Sequence, residues 1–222
     1  MNRLAVFDCD GTLVDSQRRI IAAVEAAWHS VGRAAPDHDD IRGIVGLALP
    51  EALSRLAPEA DRDELLQMID GFRQTFHRIS SDPAYDEPLY PGVVEAIAEL
   101  EAAGVLLGVA TGKGQRGLRK TLERHGLLDR FIVLKTADDG PSKPHPQILK
   151  DAMAEAGAGS ETTVMIGDTA FDMAMARSAQ AHALGVAWGY HSRQDLFDHG
   201  ADAVLETYAD TPVAVLARIG QI

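Results

Sequence analysis

The chain has 222 residues, 46% of them hydrophobic, which is enough to bury a substantial core and to carry one domain plus an insert. Its 33 acidic against 21 basic residues give a formal net charge of -12, which argues against binding nucleic acid by bulk electrostatics; a small anionic ligand, met by a few local cations inside a pocket, stays open. No run approaches the ~20 apolar residues of a membrane helix, no signal-peptide pattern opens the chain, and the lone Cys9 has no intramolecular disulfide partner, so a cytoplasmic protein without a membrane or nucleic-acid partner is expected, as a monomer or homodimer.

The first predicted strand, residues 4–7, runs into Asp8-Cys9-Asp10-Gly11-Thr12. Side chains alternate along a strand, so Asp8 and Asp10 share one face and Cys9 points away as a packing residue. Two acids at a strand end can divide the work of nucleophile, metal ligand and general acid. Taken alone, Asp-x-Asp-Gly is also an ordinary turn. Residues 16–87 then show only helical spacing, with Ile20, Val24, Trp28 and Val31 in one stretch and Leu65, Ile69, Phe72, Phe76 and Ile79 in another. An all-helical insert placed directly after the acids is expected to fold over them as a lid. Its turn at Arg42-Gly43-Ile44-Val45-Gly46-Leu47 is the segment expected to face the pocket; Arg42 is a candidate for reading a substrate carboxylate, the plainer reading being a solvated side chain.

From Tyr90 onward strands and helices alternate, with strands predicted at 105–110, 131–135, 164–166, 183–187 and 203–205 and helices at 93–103, 114–125, 144–156, 170–179 and 194–199. This is an α/β fold, a Rossmann-like three-layer core around a parallel sheet, formed by residues 1–15 and 88–222 with the helical cap at 16–87. Such sheets carry their sites at the carboxyl ends of the strands. Thr111 and Gly112 follow one strand and offer a hydroxyl and a backbone N–H for phosphate. Lys143 is predicted at a helix entrance, held extended by Pro144 at the first helical position. Asp168 closes another strand, with Asp172 a turn further on. Hard oxygen ligands beside a cation describe a Mg2+ site that binds phosphate.

In these four motifs, Asp8 to Ser16, Thr111, Lys143-Pro144 and Gly167-Asp168 to Asp172, the sequence resembles the haloacid dehalogenase-like superfamily of hydrolases, and within it the phosphoglycolate-phosphatase-like members with a helical cap. The resemblance spans nearly the whole chain. It implies a Mg2+-dependent phosphatase acting on a small phosphorylated metabolite. Asp8 would attack phosphorus to form an aspartyl-phosphate, and Asp10 would protonate the leaving alcohol and then activate water. Asp8, the Asp10 backbone carbonyl and Asp168 would hold the metal. Thr111, Gly112 and Lys143 would grip the phosphoryl group, and Asp172 would lie beside the metal or orient Lys143. The chain departs from many relatives in carrying Cys9 in place of a bulkier apolar residue, and Gly112-Lys113 where they have Asn or Ser; solvent is the favoured place for Lys113.

Pyrophosphate, nucleotides and sugar phosphates remain open as substrates. Dehalogenation of a 2-haloacid is a remoter reading, since it needs no second acid at Asp10. Gly112-Lys113-Gly114-Gln115-Arg116-Gly117 fits G-x-G-x-x-G with Asp138 at a suitable distance, the mark of an NAD-dependent oxidoreductase, but it leaves Asp8, Asp10, Lys143 and Asp168 without a task.

Overall fold

In the computed structural model, which describes residues 1–220, the chain's first strand ends up in the middle of the sheet. β1 (Asn2–Phe7) is followed by a helical segment made of α1 (Gln17–Ser30), α2 (His38–Arg42), α3 (Leu49–Leu56) and α4 (Arg62–Arg78). The alternating part then runs α5 (Val93–Ala102), β2 (Leu106–Ala110), α6 (Gln115–Arg124), β3 (Val133–Lys135), α7 (Gln147–Ala156), β4 (Ala158–Gly167), α8 (Ala170–Ser178), β5 (His182–Val186), α9 (Arg193–Asp198), β6 (Ala203–Leu205) and α10 (Thr211–Ile219). The six strands are ordered β3-β2-β1-β4-β5-β6 and every pairing is parallel. The order reverses beside β1, so the carboxyl ends of β1, β2 and β4 open onto one crevice.

Period-two alternation sorts the strand residues between two cores. Ala5, Phe7, Leu107, Val109 and Ile166 pack on one face against α5, α6 and α10. Leu4, Val6, Met165 and Ala183 pack on the other against α7, α8 and α9. Cys9 lies fully buried with the first set, in keeping with a packing role. The helical segment has its own core, in which Val24 and Trp28 of α1 meet Ile41, Leu53, Met68 and Ile69. Its two connections to the sheet run side by side: Val14 and Leu89 form an antiparallel bridge, the Asp15 N–H donates to the Pro88 carbonyl at 2.9 Å, and the Tyr90 N–H to that of Leu13 at 3.1 Å.

Three elements differ from expectation. Helix α7 starts at Gln147, because Ser142 and His145 first close a turn with an N–H to carbonyl bond of 3.0 Å; Pro144 therefore stands before the helix and not at its first position. β4 begins six residues earlier than its apolar stretch, its polar start pairing Ala158 with Asn2 across a register shift. α10 has no predicted counterpart, although Thr211-Pro212 is a helix-start signal. Among the described residues no helix is long and apolar enough to cross a membrane.

Candidate active site

Asp8 stands one residue past the end of β1 and is completely buried. The Cys9 N–H donates to its Oδ1 at 2.7 Å, and the Lys143 ammonium lies 3.0 Å from the same oxygen. The other oxygen, Oδ2, is buried with no hydrogen-bond partner. Burial pushes the Asp8 carboxyl up to about 6, outweighing the opposing pull of Lys143 and the Thr111 hydroxyl. Phe7 is in register with Val109 on one side and Ile166 on the other, so Asp8 is level with Ala110 and Gly167, and Thr111 and Asp168 stand one residue further out at the neighbouring strand ends.

Asp168 is held from two directions. Thr12 donates its hydroxyl to Oδ1 at 2.8 Å and Tyr190 its backbone N–H to Oδ2 at 2.9 Å. Gly11, at φ +83°, makes this approach possible, since a Cβ there would lie 2.2 Å from Asp168 Oδ2. Asp172 opens α8 in a reciprocal cap with Thr169, and its Oδ1 accepts from Lys143 at 2.5 Å. Thr169 is thus the cap of α8, while Asp168 stands free of that task at the strand mouth. Burial lowers the proton affinity of Lys143, but Asp172 and Asp8 outweigh it and hold the ammonium charged. Burial, reinforced by Asp8 and Asp172, pushes the Asp168 carboxyl well up.

Asp8, Asp168 and Asp172 each place a carboxylate oxygen within 4.8 Å of the others. Three buried carboxylates around a single ammonium leave an excess of negative charge, which a divalent cation would balance. The donor set is hard oxygen, and the unpartnered Asp8 Oδ2 is a ligand position no protein group satisfies. The residues therefore fit Mg2+. Asp172 fits least, because Lys143 takes one of its oxygens and Thr169 the other at 2.7 Å.

Asp10 borders the same cavity as Asp8. Here the structure corrects the sequence reading: Lys113 is buried and donates to Asp10 Oδ1 at 2.7 Å, with Glu87 3.4 Å away. Glu87 is in turn buried against Arg19 of α1, at 2.6 Å. Burial disfavours the Lys113 ammonium, but Asp10 and Glu87 more than restore it and its proton affinity ends above the ordinary value. Lys113 leaves solvent because the return from the helical segment sets Glu87 beside it.

A cavity of about 610 Å³ rises from Asp8 and Asp10 between the sheet and the helical segment. Ile44, Val45, Gly46 and Leu47 line it, so the loop singled out in the sequence does face the pocket. Arg42 does not line this cavity; it pairs with Asp39 at the surface. A Cβ on Gly112 would meet the Gly46 carbonyl at 2.4 Å and that of Leu47 at 2.6 Å, so only glycine lets this loop close on the strand end. The glycine motif that suggested a dinucleotide is otherwise engaged: the loop covers Gly112, and Asp138 accepts the Gln115 N–H at 2.8 Å, capping α6. Sequence reasoning missed Tyr190, Glu87 and Arg19. Tyr190 follows β5, so applying the strand-end rule to that strand too would have found it, whereas Glu87 and Arg19 carry no local signal.

The model of the family described as haloacid dehalogenase-like hydrolase matches residues 5–186, and the chain belongs to that family. Several of the proteins it is similar to are named as phosphatases. It is 34% identical over 99% of its length, and 96% of the relative's, to "Probable phosphatase IndB" of Dickeya dadantii (strain 3937). It is 28% identical to the phosphoglycolate phosphatase of Agrobacterium fabrum, over 99% of this chain and 94% of the other. The crystal structure of a hydrolase from Pseudomonas syringae superposes with a TM-score of 0.86 at 25% identity, covering 100% of both chains. Replacing Gly112 with alanine is expected to push the Gly46-Leu47 carbonyls off the strand end and lower kcat/KM on the order of 10²-fold with little change in Tm. Steady-state phosphate release and a thermal melt check this, and unaltered turnover would show that the loop need not close so tightly.

Proposed function

We propose that the protein is a Mg2+-dependent phosphomonoesterase that works through an aspartyl-phosphate on Asp8. The observation that carries this reading is the buried Asp8, which borders the cavity with one oxygen unpartnered, lies 3.0 Å from the Lys143 ammonium and is clustered with Asp168 and Asp172. The Asp8 carboxylate attacks phosphorus in line, and the ester oxygen leaves with a proton from Asp10, whose carboxyl borders the cavity. Asp10 then takes a proton from the water that opens the acyl-phosphate, returning Asp8 and releasing phosphate. Thr111, the Gly112 N–H and Lys143 bind the non-bridging oxygens, and Asp172 acts mainly by holding Lys143 in place.

Asp8, Asp168 and the backbone carbonyl of Asp10 would hold Mg2+, which when bound neutralises phosphoryl charge and lets two anions approach. Residues 16–87 act as a cap that closes on the core through the Gly46-Leu47 loop and keeps water from the acyl-phosphate. We place the protein in the cytoplasm as a monomer or homodimer acting on a small phosphorylated metabolite; the single, buried, unpaired Cys9 suits a reducing compartment.

Exhaustive EDTA treatment is expected to abolish phosphate release, with Mg2+ restoring it. Activity that survives chelation would overturn the metal role given to Asp8 and Asp168. Labelled phosphate recovered on Asp8 after a rapid acid quench tests the covalent step separately.

A further inference from the structure

The cavity above Asp8 is far larger than a two-carbon phosphate ester requires. Its volume of about 610 Å³ falls within the roughly 300–1,000 Å³ of sites that enclose a drug-sized organic molecule. Beyond the carboxylates, the helical segment supplies an apolar stretch of wall, Ile20 and Val24 of α1, Leu53 of α3, and Phe72 and Phe76 of α4, with Arg19, Arg73 and His77 as its polar members. The two phenylalanine rings stack at 5.5 Å with planes 14° apart, and the Arg19 guanidinium lies 4.0 Å over the Phe76 ring, so the pair forms a fixed aromatic wall of which Phe72 is the member without a cation over it.

The charges are distributed to match. Lys143 is taken up by the phosphoryl group, and of the cations that line the cavity the two beside its acids are already committed, Lys113 to Asp10 at 2.7 Å and Arg19 to Glu87 at 2.6 Å. Neither is free to receive a carboxylate or second phosphate placed next to the reacting group. Setting such an anion against Ile20, Val24 and Leu53 would strip its hydration with nothing in return. The cavity-lining cations with no carboxylate partner among the described residues are Arg73, Arg116 and Lys120, and all three are exposed at the rim. On a chain of formal net charge -12 they make a local positive mouth that draws in an anionic ester.

We propose that the substrate is a phosphate monoester of a ring-bearing alcohol of about nucleoside size, its ring lying against Ile20, Phe72 and Phe76 while its phosphoryl group meets Asp8. This rests on the phosphatase reading and narrows it. Compact, wholly charged esters and pyrophosphate leave the apolar wall unused.

The test compares kcat/KM for monoesters of primary alcohols with similar leaving groups: uridine 5′-monophosphate, riboflavin 5′-phosphate and benzyl phosphate against glycerol 3-phosphate and 2-phosphoglycolate, with pyrophosphate alongside. At least one ring-bearing ester is expected to exceed every small one about tenfold or more, the scale of discrimination a few apolar contacts supply. Ile20→Ser is expected to cut the ratio of ring-bearing to small-ester kcat/KM about tenfold, and so is Phe72→Ala, with Phe72→Leu restoring part of it. A ratio that does not move, or small esters equalling the ring-bearing ones while acetyl phosphate is hydrolysed, overturns this inference and leaves the phosphatase reading standing. Failure to release phosphate from any ester and from acetyl phosphate, in a folded Mg2+-supplied protein, overturns the phosphatase reading itself.

Discussion

Replacing Asp8 with asparagine is expected to abolish turnover, with kcat falling by at least about 10⁴-fold because the nucleophile of a two-step reaction is lost. The fold should survive, and the metal-free variant should be more stable than the parent near neutral pH. Asp8 is buried, and that burial raises its pKa from 3.8 to about 6. At about 1.4 kcal/mol per tenfold change, ionising it in the folded protein costs on the order of 3 kcal/mol. The sign follows from linkage: a carboxyl with a raised folded pKa favours the folded state most below pH 3.8, and this contribution is lost as the pH rises through about 6. Urea titrations in EDTA at pH 4 and pH 7 should therefore show a smaller loss of stability over this window in Asp8→Asn than in the parent. Equal losses in the two proteins would mean that Asp8 ionises in the folded state at little cost. Residual turnover within tenfold of the parent would remove Asp8 from the reaction.

The second large effect is expected at Lys143. Its ammonium is fully buried, 2.5 Å from Asp172 and 3.0 Å from Asp8. Lys143→Met keeps most of the stem and leaves Asp8, Asp168 and Asp172 facing one another with no cation of the chain's own. Breaking a buried pair in this way costs about 3–5 kcal/mol, through the charges left behind. The double variant Lys143→Met, Asp172→Asn removes one of those charges and should recover part of the loss, so the cycle separates the pair from the packing of the stem. A loss below about 1 kcal/mol would put this pair on a par with exposed ones. Saturating Mg2+ is expected to shrink the deficit, since it balances the same carboxylates.

What could be read in advance divides by the range of the contact. The strands at the crevice were legible because residues 4–7 and 105–110 are short, continuously apolar runs, a local pattern, whereas the pairing of Phe7 with both Val109 and Ile166 is set by the order of the whole sheet. The Thr169–Asp172 cap is equally local, yet it was not read from the sequence. Lys113 was misjudged for the opposite reason. Its partners, Asp10 and Glu87, lie 103 and 26 residues away, and no periodicity records such a meeting. Pro144 shows a third case, in which a genuine preference for the first helical position gives way to a turn at Ser142–His145. Arg19 was not singled out; its pairing with Glu87 joins the helical segment to the returning chain and could not be seen from either segment alone.

The central place of β1 also sets an order of events. Synthesis delivers this strand before the other five, yet Leu4 pairs with Leu106 on one side and Thr163 on the other. Pairings so distant along the chain are slow to form, because long loops must close before any contact rewards them. Until β4 emerges, β1 lacks one neighbour and Asp8 lacks Asp168. The helical segment, whose core draws only on contiguous residues, has no such wait. A nascent chain released short of β4 should thus hold a formed helical unit beside an unpaired, strongly apolar strand, the species on which a chaperone would act.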